Sequence, residues 1–163
     1  MRDGERLAQV VKAKGRLSNL IEKTDEGKAL IGTCGIGHTR WATHGEPSQI
    51  NAHPHVSGNC TRSGSGEVES EVVGVHNGII ENYLDIKSQL EEEGHVFKSD
   101  TDTEVIPHLI EKYMDKGFDL EDAVRETIGI IHGAYAIAAV SKNEPDKTVS
   151  YTHLRAHETG RNL

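Results

Sequence analysis

Val72-Val73-Gly74-Val75-His76-Asn77-Gly78-Ile79-Ile80-Glu81-Asn82 is the stretch on which the architecture of this chain turns. Three valines around one glycine favour an extended, pleated backbone. His76-Asn77-Gly78 then interrupts the apolar run, and Asn-Gly commonly closes a two-residue hairpin, because both residue types tolerate positive φ. On that reading the strand stops near Val75. A second reading keeps the same residues for chemistry. The Asn77 side-chain amide and the Gly78 backbone N–H are two donors able to face a developing oxyanion, as acyl transfer requires. The residues alone leave both readings open.

Upstream of this stretch, residues 5–13 alternate imperfectly and predict a strand, with Leu7, Gln9 and Val11 on one side. Leu17, Leu20 and Ile21 then recur at helical spacing up to about Lys28. Leu30 to Thr39 is small, β-branched and punctuated by glycine, which reads as a second strand. Residues 45–54 form a loop by their Pro, Asn and Ser content. Residues 57–71 are rich in Gly and Ser, with almost no apolar anchor, and read as a mobile hairpin tip.

Downstream, three helices are expected. Residues 81–93 align Tyr83, Ile86 and Leu90, with Gly94 as the stop. Residues 103–116 align Val105, Ile106, Leu109, Ile110, Tyr113 and Met114, with Pro107 tolerable in the first turns. Asp119 caps a third helix that carries Ala123, Val124, Ile128 and Ile131. Ala134 to Val140 reads as a small-residue strand buried on both faces. This order of elements suits a layered α+β domain better than a strictly alternating one.

The composition sets outer limits. A chain of 163 residues is long enough for one domain with a real core. Its net charge is -8. Residues 1–60 hold 8 Lys/Arg against 6 Asp/Glu, whereas 61–163 hold 10 against 20. An acidic body repels nucleic acid and anionic lipid, so neither is expected as a partner. No apolar run reaches membrane-spanning length, and two cysteines without framework spacing, Cys34 and Cys60, suit a reducing, cytoplasmic setting.

Chemistry gathers in three places. His38-Thr39-Arg40-Trp41-Ala42-Thr43-His44-Gly45 contains the only tryptophan and a guanidinium fork suited to a carboxylate. His76-Asn77-Gly78 is the second. Ser99-Asp100-Thr101-Asp102-Thr103-Glu104 is the third, where Asp102 is either a helix N-cap or a grip for an ammonium group. Arg40 and Asp102 together would hold an α-amino acid by its head and leave its side chain at the oxyanion donors. Two other readings compete. In one, His53-x-His55 with His38, His44 and His76 ligates a metal in a hydrolase. In the other, Arg40 and Asp102 serve a non-catalytic amino-acid-binding module.

Thr39 to Ser48, Asn51-Ala52-His53-Pro54-His55, His76 to Asn82 and Thr101 to Ile106 resemble, in order and spacing, the signature blocks of one enzyme family. It is that of the glutamine–fructose-6-phosphate aminotransferases (isomerizing), or glucosamine-6-phosphate synthases, in their glutaminase domain. The resemblance runs from about Gly15 to Lys147. It implies a class II, N-terminal nucleophile glutamine amidotransferase with a four-layer αββα sandwich of two antiparallel sheets. It implies no cofactor and no metal. In the family, a cysteine thiolate at the N-terminus attacks the glutamine side-chain amide, and a thioester is then hydrolysed to glutamate. The ammonia passes to an isomerase domain and aminates fructose 6-phosphate, and the full-length enzyme is expected as a homodimer.

By position in the matching blocks, Arg40 would bind the glutamine carboxylate and Asp102 its ammonium. Asn77 and Gly78 would form the oxyanion hole. Trp41 would gate the ammonia path, Thr43 and His44 would lie in the closing loop, and His53 and His76 would support. Two departures are evident. The family's opening Cys-Gly-Ile is absent at residue 1, so the chain is expected to start inside the domain and to lack the nucleophile. Cys34-Gly35-Ile36 imitates that start, but Cys34 has no free α-amino group and reads as a buried, inert thiol. From about 149 the sequence leaves the family pattern and resembles translated adaptor. Residues 1–148 are therefore expected to be the partial glutaminase domain, and 149–163 a non-native tail.

Overall fold

The computed structural model describes residues 9–30, 32, 34–39, 46, 48–57 and 72–153. The architecture is α+β: one antiparallel sheet with helices packed on one face. Helix α1 spans Leu17–Lys23, and the short strand β1 is His55–Val56. The long strand β2 is Val72–Ile80. Helices α2 (Tyr83–Glu92), α3 (Val105–Asp115) and α4 (Leu120–Ile130) follow, with a 3-10 turn at Asp102–Glu104 leading into α3. Strands β3 (Gly133–Ser141) and β4 (Glu144–His153) complete the sheet. The strand order is β1-β2-β3-β4.

The hairpin-turn reading of Asn77-Gly78 does not hold. Both residues lie inside β2, where Asn77 pairs with Ala136 and Gly78 with Tyr135. Tertiary pairing along the whole strand overrides the local turn preference. Glycine is nevertheless required at 78. Its φ is +125°, and a Cβ there would sit 2.1 Å from the Ala134 carbonyl oxygen. Gly133, opposite Ile80, has φ +135° and the same 2.1 Å conflict with the Ile79 carbonyl oxygen.

The register assigns the two faces. Val72, His76 and Ile80 lie on one side with Ser141, Ile137 and Gly133, and the neighbouring Tyr135 and Ala139 share that side. This face meets the helices in a core of Ile86, Leu90, Ile106, Ile110, Leu120 and Val124. Apolar residues at three- and four-residue spacing give α3 and α4 the stripes that fit there. Asp119 caps α4 as expected, accepting from Asp122 N at 2.9 Å. Val73, Val75, Asn77 and Ile79 point to the other side with Val140, Ala138, Ala136 and Ala134.

Other expectations change. β3 is not buried on both faces: Tyr135, Ile137 and Ala139 are buried, whereas Ala136, Ala138 and Val140 are half-buried and Ala134 is exposed. The described residues of 9–13 and 30–39 belong to no strand. Cys34 and His38 instead reach β4 and β2. Cys34 Sγ lies 2.7 Å from Thr148 Oγ1, and His38 Nε2 lies 2.5 Å from Asn77 Oδ1. Thr148 pairs with Val140 and shares the second face with Asn77, so this segment crosses that face. Cys34 is exposed, not buried. Residues 149–153, set apart on sequence, run on as β4 against β3, with Val149 and Tyr151 packed on the core.

Candidate active site

The site grows from four consecutive buried polar residues, Thr101-Asp102-Thr103-Glu104, each 2–4% exposed. Burying such groups is costly unless each finds a partner, and the partners here come from β1, from β2 and from the segments around His53 and Ser99. Thr101 Oγ1 meets His55 Nε2 at 3.2 Å. Asp102 Oδ2 accepts the Ile80 N–H at 2.9 Å. Thr103 Oγ1 lies 3.1 Å from His53 Nε2 and 3.0 Å from His76 Nδ1. Glu104 accepts the amides of Lys98 and Ser99 at 3.0 and 2.7 Å and the Ser99 hydroxyl at 2.5 Å.

Asp102 is therefore not a cap for α3. Its carboxylate reaches across to the edge of β2 that carries Asn77 and Gly78. Only Oδ2 is engaged in this way; among the described residues no hydrogen bond holds Oδ1. Thr103 makes the adjoining link to His76, so the second and third polar clusters of the sequence are bound together at two points.

The hydroxyls admit a consistent order of donors. Ser99 gives its proton to Glu104, accepts from Thr101 at 3.0 Å, and Thr101 accepts from His55. The single Thr103 hydroxyl donates to one histidine and accepts from the other, so His53 and His76 present it one lone pair and one N–H. Burial alone would raise the Glu104 carboxyl. The facing His108 ring, the Ser99 hydroxyl and the two amides outweigh that and hold it down at about 2.

Asn77 lies on the opposite side of β2 from His76, where its Oδ1 meets His38 Nε2. The His38 and His53 rings lie 4.2 Å apart between centroids, which carries the contact around the strand edge. Farther along, Asn82 ties the end of β2 to the α4–β3 connection. Its Nδ2 donates to Ile130 O at 3.0 Å, and its Oδ1 accepts His132 N at 2.9 Å.

Of the residues named from sequence, Asn77, Gly78, His76, His53 and Asp102 thus gather on one strand and its edge. Arg40, Trp41, Thr43 and His44 lie outside the described residues. Sequence reasoning missed His38, His55, Ser99, Thr101, Thr103, Glu104 and Asn82 as parts of this network. The available signal was an unbroken polar run before the strongly apolar α3, from which only Asp102 was chosen. Of the metal-hydrolase reading, His44 lies outside the described residues; among those described, His38, His53, His55 and His76 contact Asn and Thr side chains and do not form a group of ligand atoms close enough to share an ion.

The turn at Thr101–Glu104 thus sets an acid and buried hydroxyls against the strand that carries Asn77 and Gly78. The chain belongs to the glutamine amidotransferase domain family, whose sequence model matches residues 65–153. Within that class, it is 50% identical over 143 residues to the glutamine–fructose-6-phosphate aminotransferase (isomerizing) of Methanothermobacter thermautotrophicus, covering 88% of this chain and 22% of that protein. The enzyme of the same name from Clostridium tetani is 51% identical over 139 residues, 85% of this chain and 21% of that one. The chain thus spans about a fifth of the length of these curated relatives. A solved structure titled as the allosteric regulatory enzyme of purine biosynthesis is 31% identical, with a TM-score of 0.50 over 64% of this chain and 21% of that one. Among the described residues, no helix is long and apolar enough to cross a membrane.

Proposed function

We propose that this domain is the glutaminase part of a glucosamine-6-phosphate-forming enzyme. It hydrolyses the glutamine side-chain amide to glutamate and supplies ammonia to a separate isomerase domain, which aminates fructose 6-phosphate. The setting is cytoplasmic, the full-length enzyme a homodimer, and the complete fold a four-layer αββα sandwich of the N-terminal nucleophile type. The family match and the near-50% identity to the aminotransferases support this reading. The observation that carries the site is the Asp102–Ile80 link, which brings the acid to the strand of the two amide donors.

The roles follow from position. Asp102 keeps Oδ2 on the Ile80 amide and offers Oδ1 to the glutamine ammonium. Arg40 receives the carboxylate. In an extended strand, amides at i and i+2 point to the same edge, which sets Gly78 N–H beside Ile80 N–H. Asn77, with Oδ1 toward His38, has Nδ2 as the second donor to an oxyanion. Trp41 gates the ammonia path, Thr43 and His44 close over the substrate, and His53 and His76 brace through Thr103.

In the proposed reaction the nucleophile is a thiolate that uses its own α-amino group as base. Asp102→Asn tests the site directly. The amide oxygen still accepts from Ile80 N–H, but the charge is lost, so calorimetric glutamine binding should fall at least tenfold while the far-UV circular dichroism stays unchanged. Undiminished binding would sink the assignment of Asp102. A non-catalytic glutamine-binding module would share the site and bind glutamine without releasing glutamate.

A further inference from the structure

Where the α2–α3 connection packs against α3, three side chains direct ligand atoms at one small space. His95 belongs to the α2–α3 connection, and His108 and Glu111 sit one turn apart on α3. His95 Nδ1 and His108 Nδ1 are 3.1 Å apart, and Glu111 Oε2 lies 3.9 Å from the first and 4.0 Å from the second. Among the described residues this is the one group of three or more His, Cys, Asp or Glu side chains close enough to share an ion. We propose that His95, His108 and Glu111 form a divalent transition-metal site of the zinc type, completed by a water.

The geometry is nearly that of a tetrahedral centre. An ion at about 2.0–2.1 Å from each imidazole nitrogen holds the two nitrogens roughly 3.3 Å apart. The rings are already at that separation, and the carboxylate needs to approach by only about half an ångström, within the reach of a side-chain torsion. Two imidazoles and one carboxylate with an open fourth position is a donor set that Zn2+ accepts and Mg2+ or Ca2+ does not favour.

Protonation suits the same arrangement. His108 Nε2 is buried and faces Glu104 Oε1 at 3.9 Å. A carboxylate there favours the tautomer with hydrogen on Nε2 and a lone pair on Nδ1, as carboxylates behind metal-bound histidines commonly do. In the absence of an ion, His95 then donates its Nδ1 hydrogen to His108. On binding, His95 moves that hydrogen to Nε2 and presents its own lone pair, so no proton need be released. Lys112, the nearest cation on α3, is held by Glu93. His108 is shielded by the Phe97 ring, 4.5 Å away between centroids, whereas His95 and Glu111 are 17% and 11% exposed and give an ion its way in. A bound ion would fasten the α2–α3 connection to α3.

The test uses the full chain, stripped with chelator and titrated with CoCl2. The expected result is a single Co2+ with the intense visible bands of four-coordinate cobalt, displaced by Zn2+. His95→Ala and Glu111→Gln should each abolish those bands and weaken Zn2+ binding at least tenfold. Glu111→Gln lies at the rim, so it keeps the test valid should His95→Ala misfold. His132→Ala, at an exposed position in the α4–β3 connection, should leave binding unchanged. Bands that are absent from the wild-type chain, or that survive both ligand substitutions, would overturn the assignment and leave a plain N–H···N bond between the two rings.

Discussion

Glu104→Gln removes one charge from the centre of the polar turn without changing its size. The carboxyl falls from 4.5 to about 2 on folding. A depression of that extent corresponds to roughly 3 kcal/mol of stability at neutral pH. The sign follows from the direction. The contribution is fully present above the unfolded value of 4.5 and is lost as pH falls through the folded value of about 2. At about pH 3 roughly half of it remains. Glutamine cannot reproduce the wild-type pattern, because its NH2 would face one of the Lys98 and Ser99 amides that the carboxylate accepts. Urea unfolding followed by circular dichroism, with chelator present, should place the variant about 3 kcal/mol below wild type at neutral pH. The gap should narrow to roughly half of that near pH 3. A gap under about 1 kcal/mol at neutral pH, or one of equal size at both pH values, would refute the charge-based account.

Gly78→Ala should cost roughly 3 kcal/mol or more, since it adds a positive-φ penalty to a Cβ lodged against the Ala134 carbonyl. Gly35→Ala, with open space around it, should be nearly neutral in the same denaturation assay. Thr103→Val keeps the shape but removes the hydroxyl shared by His53 and His76; about 1–3 kcal/mol should be lost, and the histidine titrations followed by NMR should move together. Asn82→Ala leaves Ile130 O and His132 N without their partner, so the α4–β3 connection should exchange its amide hydrogens faster, at a stability cost of roughly 1–3 kcal/mol.

The helices were legible because their signals are local and redundant. The α3 stripe, Asp119 at the start of α4 and Gly94 after α2 all stand in the sequence and all appear in the fold. The strands were less so. Asn77-Gly78 carries a turn preference that only the β3 pairing overrides, and residues 144–153 are too polar to announce a strand. Leu30–Thr39 looked extended on composition, but a strand also needs a partner, and Cys34 and His38 use theirs on side chains of β4 and β2. At the site, the blocks around His53, His76 and Asp102 are joined in the fold. They did not reveal which atoms join, because those links span 22 to 50 residues.

The polar turn shows why its residues come consecutively. A 3-10 turn, with three residues per revolution, spreads successive side chains widely around its axis. Asp102, Thr103 and Glu104 thus address the Ile80 amide, the His53 and His76 rings, and the Lys98–Ser99 segment, while Thr101, just before the turn, meets His55 and Ser99. A regular helix would stack some of these directions on one face, and a strand would fold them into two. Each link also fixes its neighbours, since moving Asp102 off Ile80 drags Thr103 from His76 and Glu104 from Ser99. The acid proposed to hold the substrate ammonium is therefore positioned by bonds of Thr101, Thr103 and Glu104 that it does not itself make. Preorganisation of this kind leaves little reorientation to be done when a ligand arrives. On the proposed reading it also separates two roles of Asp102: Oδ2 accepts the Ile80 N–H, and Oδ1 is offered to the substrate ammonium.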